Sequence, residues 1–390
     1  MRFLAVAVVI ALLTAFSVRP SAAQSSDTQV ADKIVTQLLA VKPAQVVLIS
    51  ADPTHLGLAE DISVSVSAIG AYPVIVEGSN RLNRLYWERV PARYDSLPPK
   101  AVLKLYAMAD ATVSIDFPAD PTVLQGVPPS RIATLTANNA IITAYVFKHS
   151  IPGISIGNGI LPSAGTAAQY GVSLPALSAV FNSGLNADYA QIRRDAATVA
   201  SAVSASHRIH ITAPNGTDLT LAVTKTAEIN DGAISPADRV RGGAAVQRQL
   251  PAGDVYFLPV PTSATGTLVF GDFRFNGTVV TGLAAHFAGG KVTALTARRG
   301  LSVLSALYTA GGAAARRLGF IDVGTNRSMH LGPGMWGPGP SMAAGYVTAG
   351  IGANYGLGGS DDSAFSAESN VPNATVTLDG KALVSHGTLR

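Results

Sequence analysis

Leu250–Val260, LPAGDVYFLPV, decides how the second half of this chain is read. Gly253 interrupts the apolar run. Taken by itself, Asp254 is a turn residue that follows it, at the start of a strand expected over Gly253–Pro259. The same punctuation recurs on both sides. Upstream, Arg208–Thr212 and Asp218–Val223 flank Pro214-Asn215-Gly216, a hairpin signal of the type I′ kind. Downstream, strands are expected over Thr267–Phe275, Thr278–Phe287 and Lys291–Ala297, with a helix at Ser302–Gly311 between them and the rest. This half therefore reads as mainly antiparallel β with one or two helices.

The first half reads differently. Asp27 stands where a residue can cap a helix whose face carries Val30, Ile34 and Leu38. Short apolar strands are expected at Gln45–Ser50, Pro73–Glu77 and Ala111–Ile115, alternating with helices at Leu56–Ile69 and Pro99–Met108. Strands buried on both faces and alternating with helices imply a parallel α/β sheet. Asn186–Ser204 is the strongest helical pattern, with Tyr189, Ile192, Ala196, Val199 and Val203 on one face, and it is expected to link two domains. The expected division is a signal at 1–23, an N-terminal α/β domain at 24–205 and a C-terminal domain at 206–390.

Composition limits the functional classes. Arg2, the apolar run Phe3–Val18 and the small residues Ser21-Ala22-Ala23 form a secretory signal pattern with a cut expected before Gln24, so a secreted or periplasmic location is expected. The apolar run is about 16 residues, short of the roughly 20 a membrane span needs. After removal of the signal nothing in the sequence argues for a membrane. The chain has 28 Lys and Arg against 24 Asp and Glu, and no basic run with interleaved aromatics, so nucleic acid is not an expected partner. It has no cysteine, which excludes disulfides and thiolate metal sites. Four glycosylation-type triplets begin at Asn215, Asn276, Asn326 and Asn373 and read mainly as surface turns. No G-x-S-x-G elbow and no phosphate-binding G-x-x-x-x-G-K-[ST] loop is present.

Several segments together resemble the aminopeptidase T family of metallopeptidases. VKPAQVVLISAD (Val41–Asp52) is similar to that family's opening, and PNGTDLTLAV (Pro214–Val223) to its hairpin. LPAGDVYFLPV is similar to its LPxGEV signature, while GTLVFGDF, GLAAHFAGGKV and ARRLGFIDVGTN follow in the family's order. The resemblance implies an N-terminal parallel α/β domain and a C-terminal, mainly antiparallel α+β domain of aminopeptidase T type. It further implies a homodimer, a peptide substrate, and a pair of divalent ions (zinc, cobalt or manganese) that activates water.

The resemblance also assigns site positions, and many of them are altered. The LPxGE glutamate falls on Asp254, a shorter carboxylate. The next glutamate position holds Phe320, and a histidine position holds Thr348. The family tyrosine is present as Tyr355. A late histidine and aspartate pair falls on Ser366 and Glu368. Asp254 and Glu368 are thus the candidate metal ligands and Tyr355 the candidate catalytic residue, with ligands lost at Phe320, Thr348 and Ser366. Two readings follow: an exported aminopeptidase with a modified metal site, with or without bound metal, or a non-catalytic relative whose cavity binds a peptide or small ligand. His286 alternates with apolar neighbours and reads as a satisfied strand residue. His330 borders the Gly- and Pro-rich stretch Leu331–Gly359.

Overall fold

The structure is a computed structural model that describes residues 22–390 apart from 121, 276, 333, 335, 336, 338 and 364. Residues 1–21, which carry nearly all of the expected signal, lie outside the described residues, as do Asn276, Met335 and Trp336.

The N-terminal half is built as the alternation of patterns requires. Helices α1 (Ala22–Lys33), α2 (Leu56–Ala68), α3 (Asn80–Arg89), α4 (Lys100–Met108) and α5 (Pro129–Lys148) alternate with strands β1 (Val46–Ala51), β2 (Tyr72–Glu77), β3 (Ala111–Ile115) and β4 (Gly153–Ile156). The strands pair in parallel. Asp27 lies inside α1 and does not cap it, because the helix begins at Ala22. Three more helices follow: α6 (Ala164–Tyr170), α7 (Leu174–Leu185) and α8 (Tyr189–Ala205). The cap of α8 is Asp188, whose carboxylate accepts from the amides of Ala190 and Gln191, two residues beyond the expected Asn186.

The second half supplies β5 (Ile209–Thr212), β6 (Asp218–Leu221), β7 (Val223–Asn230), the short α9 (Pro236–Arg241), β8 (Gln247–Leu250) and β9 (Asp254–Pro259). Then come β10 (Thr265–Val269), the hairpin of β11 (Phe273–Phe275) and β12 (Thr278–Val280), β13 (Ala284–Ala288), β14 (Lys291–Thr296), α10 (Leu301–Ala310), β15 (Leu318–Gly324) and β16 (Val347–Gly352). The chain closes with β17 (Ser366–Asn370), β18 (Thr375–Leu378), β19 (Lys381–Ser385) and β20 (Thr388–Leu389). An eight-stranded sheet has the order β14-β13-β10-β6-β5-β18-β19-β20, and a five-stranded sheet the order β17-β16-β15-β9-β7. Every pairing within these two sheets is antiparallel.

β8 departs from the expected division of the chain. It pairs in parallel with β4, so the first sheet reads β2-β1-β3-β4-β8 and takes its last strand from residues 247–250, beyond the expected boundary at 205/206. Pro251 and Gly253 then separate β8 from β9, which begins at Asp254 in the five-stranded sheet. The opening motif LPAGDVYFLPV therefore joins the two halves.

The five-stranded sheet has two unlike faces because side chains alternate along a strand. Val255, Phe257, Ile321, Val323, Val347, Ala349, Ile351 and Ala367 belong to one buried core, shared with Ile209, Ile211, Leu219 and Leu268 of the larger sheet and with Ala196, Val199 and Val203 of α8. The intervening residues, Asp254, Tyr256, Phe320, Asp322, Thr348, Ser366 and Glu368, point the other way and line a cavity. Among the described residues no helix is long and apolar enough to cross a membrane.

Candidate functional site: an acidic cavity between the two halves

The cavity, of about 810 Å³, lies between the polar face of the five-stranded sheet and the C-terminal ends of β3, β4 and β8. That edge, the carboxyl end of a parallel sheet, is where α/β folds gather ligand-binding groups. Asp116 and Asn158 stand on this wall, and α5 adds Thr136, Asn139 and Thr143. The Asp116 carboxylate accepts from Ser155 Oγ at 3.0 Å and from the Gly159 amide at 3.3 Å, yet burial still raises its pKa.

All six positions taken from the resemblance, Asp254, Phe320, Thr348, Tyr355, Ser366 and Glu368, line this one cavity. Five lie on the sheet. Tyr355 sits in the single turn after β16, where its ring stacks on Phe147 of α5 at 6.2 Å between centroids. His286 lies on β13 of the other sheet with its Nδ1 3.0 Å from Thr267 Oγ1, a satisfied strand histidine as expected. His330 does not line the cavity. Asn326, expected at a surface turn, is fully buried; its amide donates to the carbonyls of Gly184 and Ala252.

Asp322 was missed by sequence reasoning. It faces Tyr256 on β9 and Thr348 on β16, and is only 6% exposed. A lone acid in the otherwise apolar strand LGFIDVG, two residues beyond Phe320 and so on the same face, was the available signal. Its Oδ1 has no hydrogen-bond partner, and neither has the Oγ1 of Thr348, the residue directly opposite and 2% exposed. Two adjacent buried polar atoms left unpaired at a cavity wall are costly to the fold and are commonly the contact points of a ligand or water.

The electrostatics follow from this crowding. Burial lifts Asp254 to a pKa of about 7, against the opposing effects of the Asn230 amide, which donates to it at 2.8 Å, and of Arg248. Asp322 is pushed well above the usual carboxylate range by burial first and the Asp254 charge second. Glu368 opens onto the water of the cavity but lies deep within the protein, and that recess raises its pKa too. Asp116, Asp254, Asp322, Asp362 and Glu368 line the cavity without any Lys, Arg or His among its described lining residues. The nearest charge offset, Arg248, is already engaged: it donates to Asp238 at 2.7 Å and to the carbonyls of Ala233 and Ala245.

Residues 177–330 match the model of the thermophilic metalloprotease family, M29. The whole fold is similar to that of wild-type AmpT from Thermus thermophilus, with a TM-score of 0.68 at 17% identity, covering 94% of this chain and 99% of that one. Over residues 177–330 the chain is similar to this metalloprotease family, and its fold is that of AmpT. A second similar fold is 2,5-dihydroxypyridine dioxygenase from Pseudomonas putida KT2440, with a TM-score of 0.59 at 15% identity, covering 94% of this chain and 97% of that one. No curated protein matches the sequence.

That metalloprotease family is metal-dependent, so the donors of this cavity can be tested against a divalent ion. The matched residues include Asp254, Phe320 and Asp322 but end before Thr348, Tyr355, Ser366 and Glu368. Among the described residues, no group of three or more His, Cys, Asp or Glu side chains is arranged to hold a metal ion. The strand order explains part of this. Asp254 and Glu368 are separated by three strand spacings, roughly 14 Å at the backbone, so a metal pair needs further ligands on the strands between them. Between them, at Phe320 and Thr348, stand a phenyl ring and a hydroxyl. The residues present do not fit a metal pair.

Proposed function

We propose that this protein is an exported, non-hydrolytic relative of the aminopeptidase T-like enzymes that uses the cavity between its halves to bind a peptide or small polar ligand. The observation that carries this reading is that Phe320, Thr348 and Ser366 stand at three of the expected ligand positions, all on the cavity face of one sheet. Water activation at neutral pH by a metal pair needs several anionic or imidazole ligands around each ion, and this face supplies carboxyls on separate strands and no histidine. Export is supported by Arg2, Phe3–Val18 and Ser21-Ala22-Ala23.

The peptidase reading retains one observation in its favour: Asp254, Tyr355 and Glu368 all line a single cavity. The two readings separate in one assay. The purified mature protein is incubated with leucine p-nitroanilide and short peptides in added cobalt, zinc and manganese. No metal-dependent release of N-terminal residues is expected. Turnover that requires one of these ions and is abolished by Asp254→Asn would establish the peptidase reading instead.

A further inference from the structure

The acidic cavity has a shape in its charge. Asp254 and Asp322 are diagonal neighbours on β9 and β15, since Asp322 faces Tyr256 and Asp254 faces Gly324. Glu368 lies on β17, two strands from β15, or about 10 Å at ordinary strand spacing. Asp116 approaches from the opposite wall; its charge and that of Glu368 are both felt by the buried Tyr170 hydroxyl. Between the two acidic ends lies an apolar floor. Phe320, Gly350 and Glu368 are in register across β15, β16 and β17, and the Phe320 ring lies over Gly350 so closely that a Cβ there would stand 2.3 Å from it.

The unpaired atoms point to what is bound at one end. Asp322 Oδ1 accepts when its carboxyl is ionised, as it is against a cation, and the Thr348 hydroxyl can accept as well as donate; both residues are more than nine-tenths buried and both are on the cavity wall. An ammonium group carries three donors and no acceptor. It satisfies a carboxylate and a hydroxyl without the convergent ligand shell that a metal ion demands. With no Lys, Arg or His on the described lining, no cationic side chain there offsets an anionic ligand beside five carboxyl groups.

We infer that the cavity takes a linear aliphatic diamine or polyamine, with one ammonium at Asp322 and Thr348, its methylene chain over Phe320, and its second cationic nitrogen towards Glu368. This rests on the ligand-binding reading above and names its ligand class. Aromatic faces attract ammonium groups and cover methylenes, so Phe320 serves the ligand in a position where it serves no metal.

The test is calorimetric titration of the mature protein with putrescine, cadaverine and spermidine, beside butylamine, 1,4-butanediol, succinate, a leucyl tripeptide and zinc chloride. The expected result is saturable binding of at least one diamine or polyamine, at least tenfold tighter than butylamine, with no binding of the diol or of succinate. Asp322→Asn and Glu368→Gln each weaken it tenfold or more while thermal unfolding shows both variants folded. If either fails to fold, Phe320→Ala replaces it, with affinity expected to fall several-fold. Equal binding of diol and diamine, tight binding only of the tripeptide or of zinc, or full affinity in the carboxyl variants overturns the inference. Absence of amine binding without metal-dependent hydrolysis overturns this inference alone. Hydrolysis in added metal overturns the reading beneath it.

Discussion

Replacing Asp254 with an asparagine should make the protein more stable at neutral pH and leave it nearly unchanged in acid. Asp254 is 6% exposed, and its pKa stands near 7 against an ordinary value of 3.8. Between those values the folded state holds a proton that the unfolded state has released. Unfolding free energy therefore falls as pH rises from about 4 to about 7 and levels off above that. At ~1.4 kcal/mol per pH unit the fall is about 4 kcal/mol from this group. Asp322, raised by the same burial and by the Asp254 charge, adds a fall in the same direction. The introduced side-chain amide keeps an oxygen to accept from Asn230, so the substitution removes the titration with little loss of hydrogen bonding. Denaturant unfolding of both proteins at half-unit steps from pH 4 to 8.5 measures this. The expected curves coincide near pH 4 and separate by about 2–4 kcal/mol at pH 8, with Asp254→Asn the more stable. Parallel curves across the whole range would refute the claim that Asp254 is a buried, uncompensated acid.

The other expectations concern neighbouring residues. Phe320→Glu alone should destabilise by about 2–4 kcal/mol, because it places a further carboxyl among buried acids, at a residue only 7% exposed; a shift in unfolding midpoint reads it. Phe320→Glu, Thr348→His and Ser366→His together should instead raise metal content in elemental analysis, since ligands bind cooperatively and single changes leave too few. Arg248→Ala should destabilise by roughly 3–5 kcal/mol, since it strips the buried partner from Asp231 and Asp238; chemical denaturation at neutral pH measures the loss. N-terminal sequencing of the exported protein should begin near Gln24; intact Met1 recovered from the producing cells' culture medium or periplasm would reject a cleaved signal.

Much of the architecture was legible because it depends on periodicity. Ala111–Ile115 emerged with its expected bounds, and Leu56–Ala68, Tyr72–Glu77 and Lys100–Met108 within a residue of them. The resemblance singled out Asp254, Phe320, Thr348, Ser366 and Glu368, and the structure brings all five to one cavity. Three features were not legible. Helix α5 buries only Val146 of its 20 residues and leaves Ile132, Leu135 and Ile142 half-buried, so its apolar residues do not report how it sits on the fold. The parallel partner of β4 comes from residues 247–250 because the chain returns across the boundary, and no local pattern encodes a long-range pairing. The significance of the acid Asp322 in LGFIDVG depends on Thr348 lying opposite, which only strand register shows.

On the proposed reading, the cavity between the two halves lacks the ligands to hold a metal pair. Elemental analysis of the mature protein, purified without chelator and dialysed against zinc, cobalt and manganese in turn, tests it most directly. Less than one tightly held divalent ion per chain is expected for every metal. Two ions per chain that survive dialysis would contradict it.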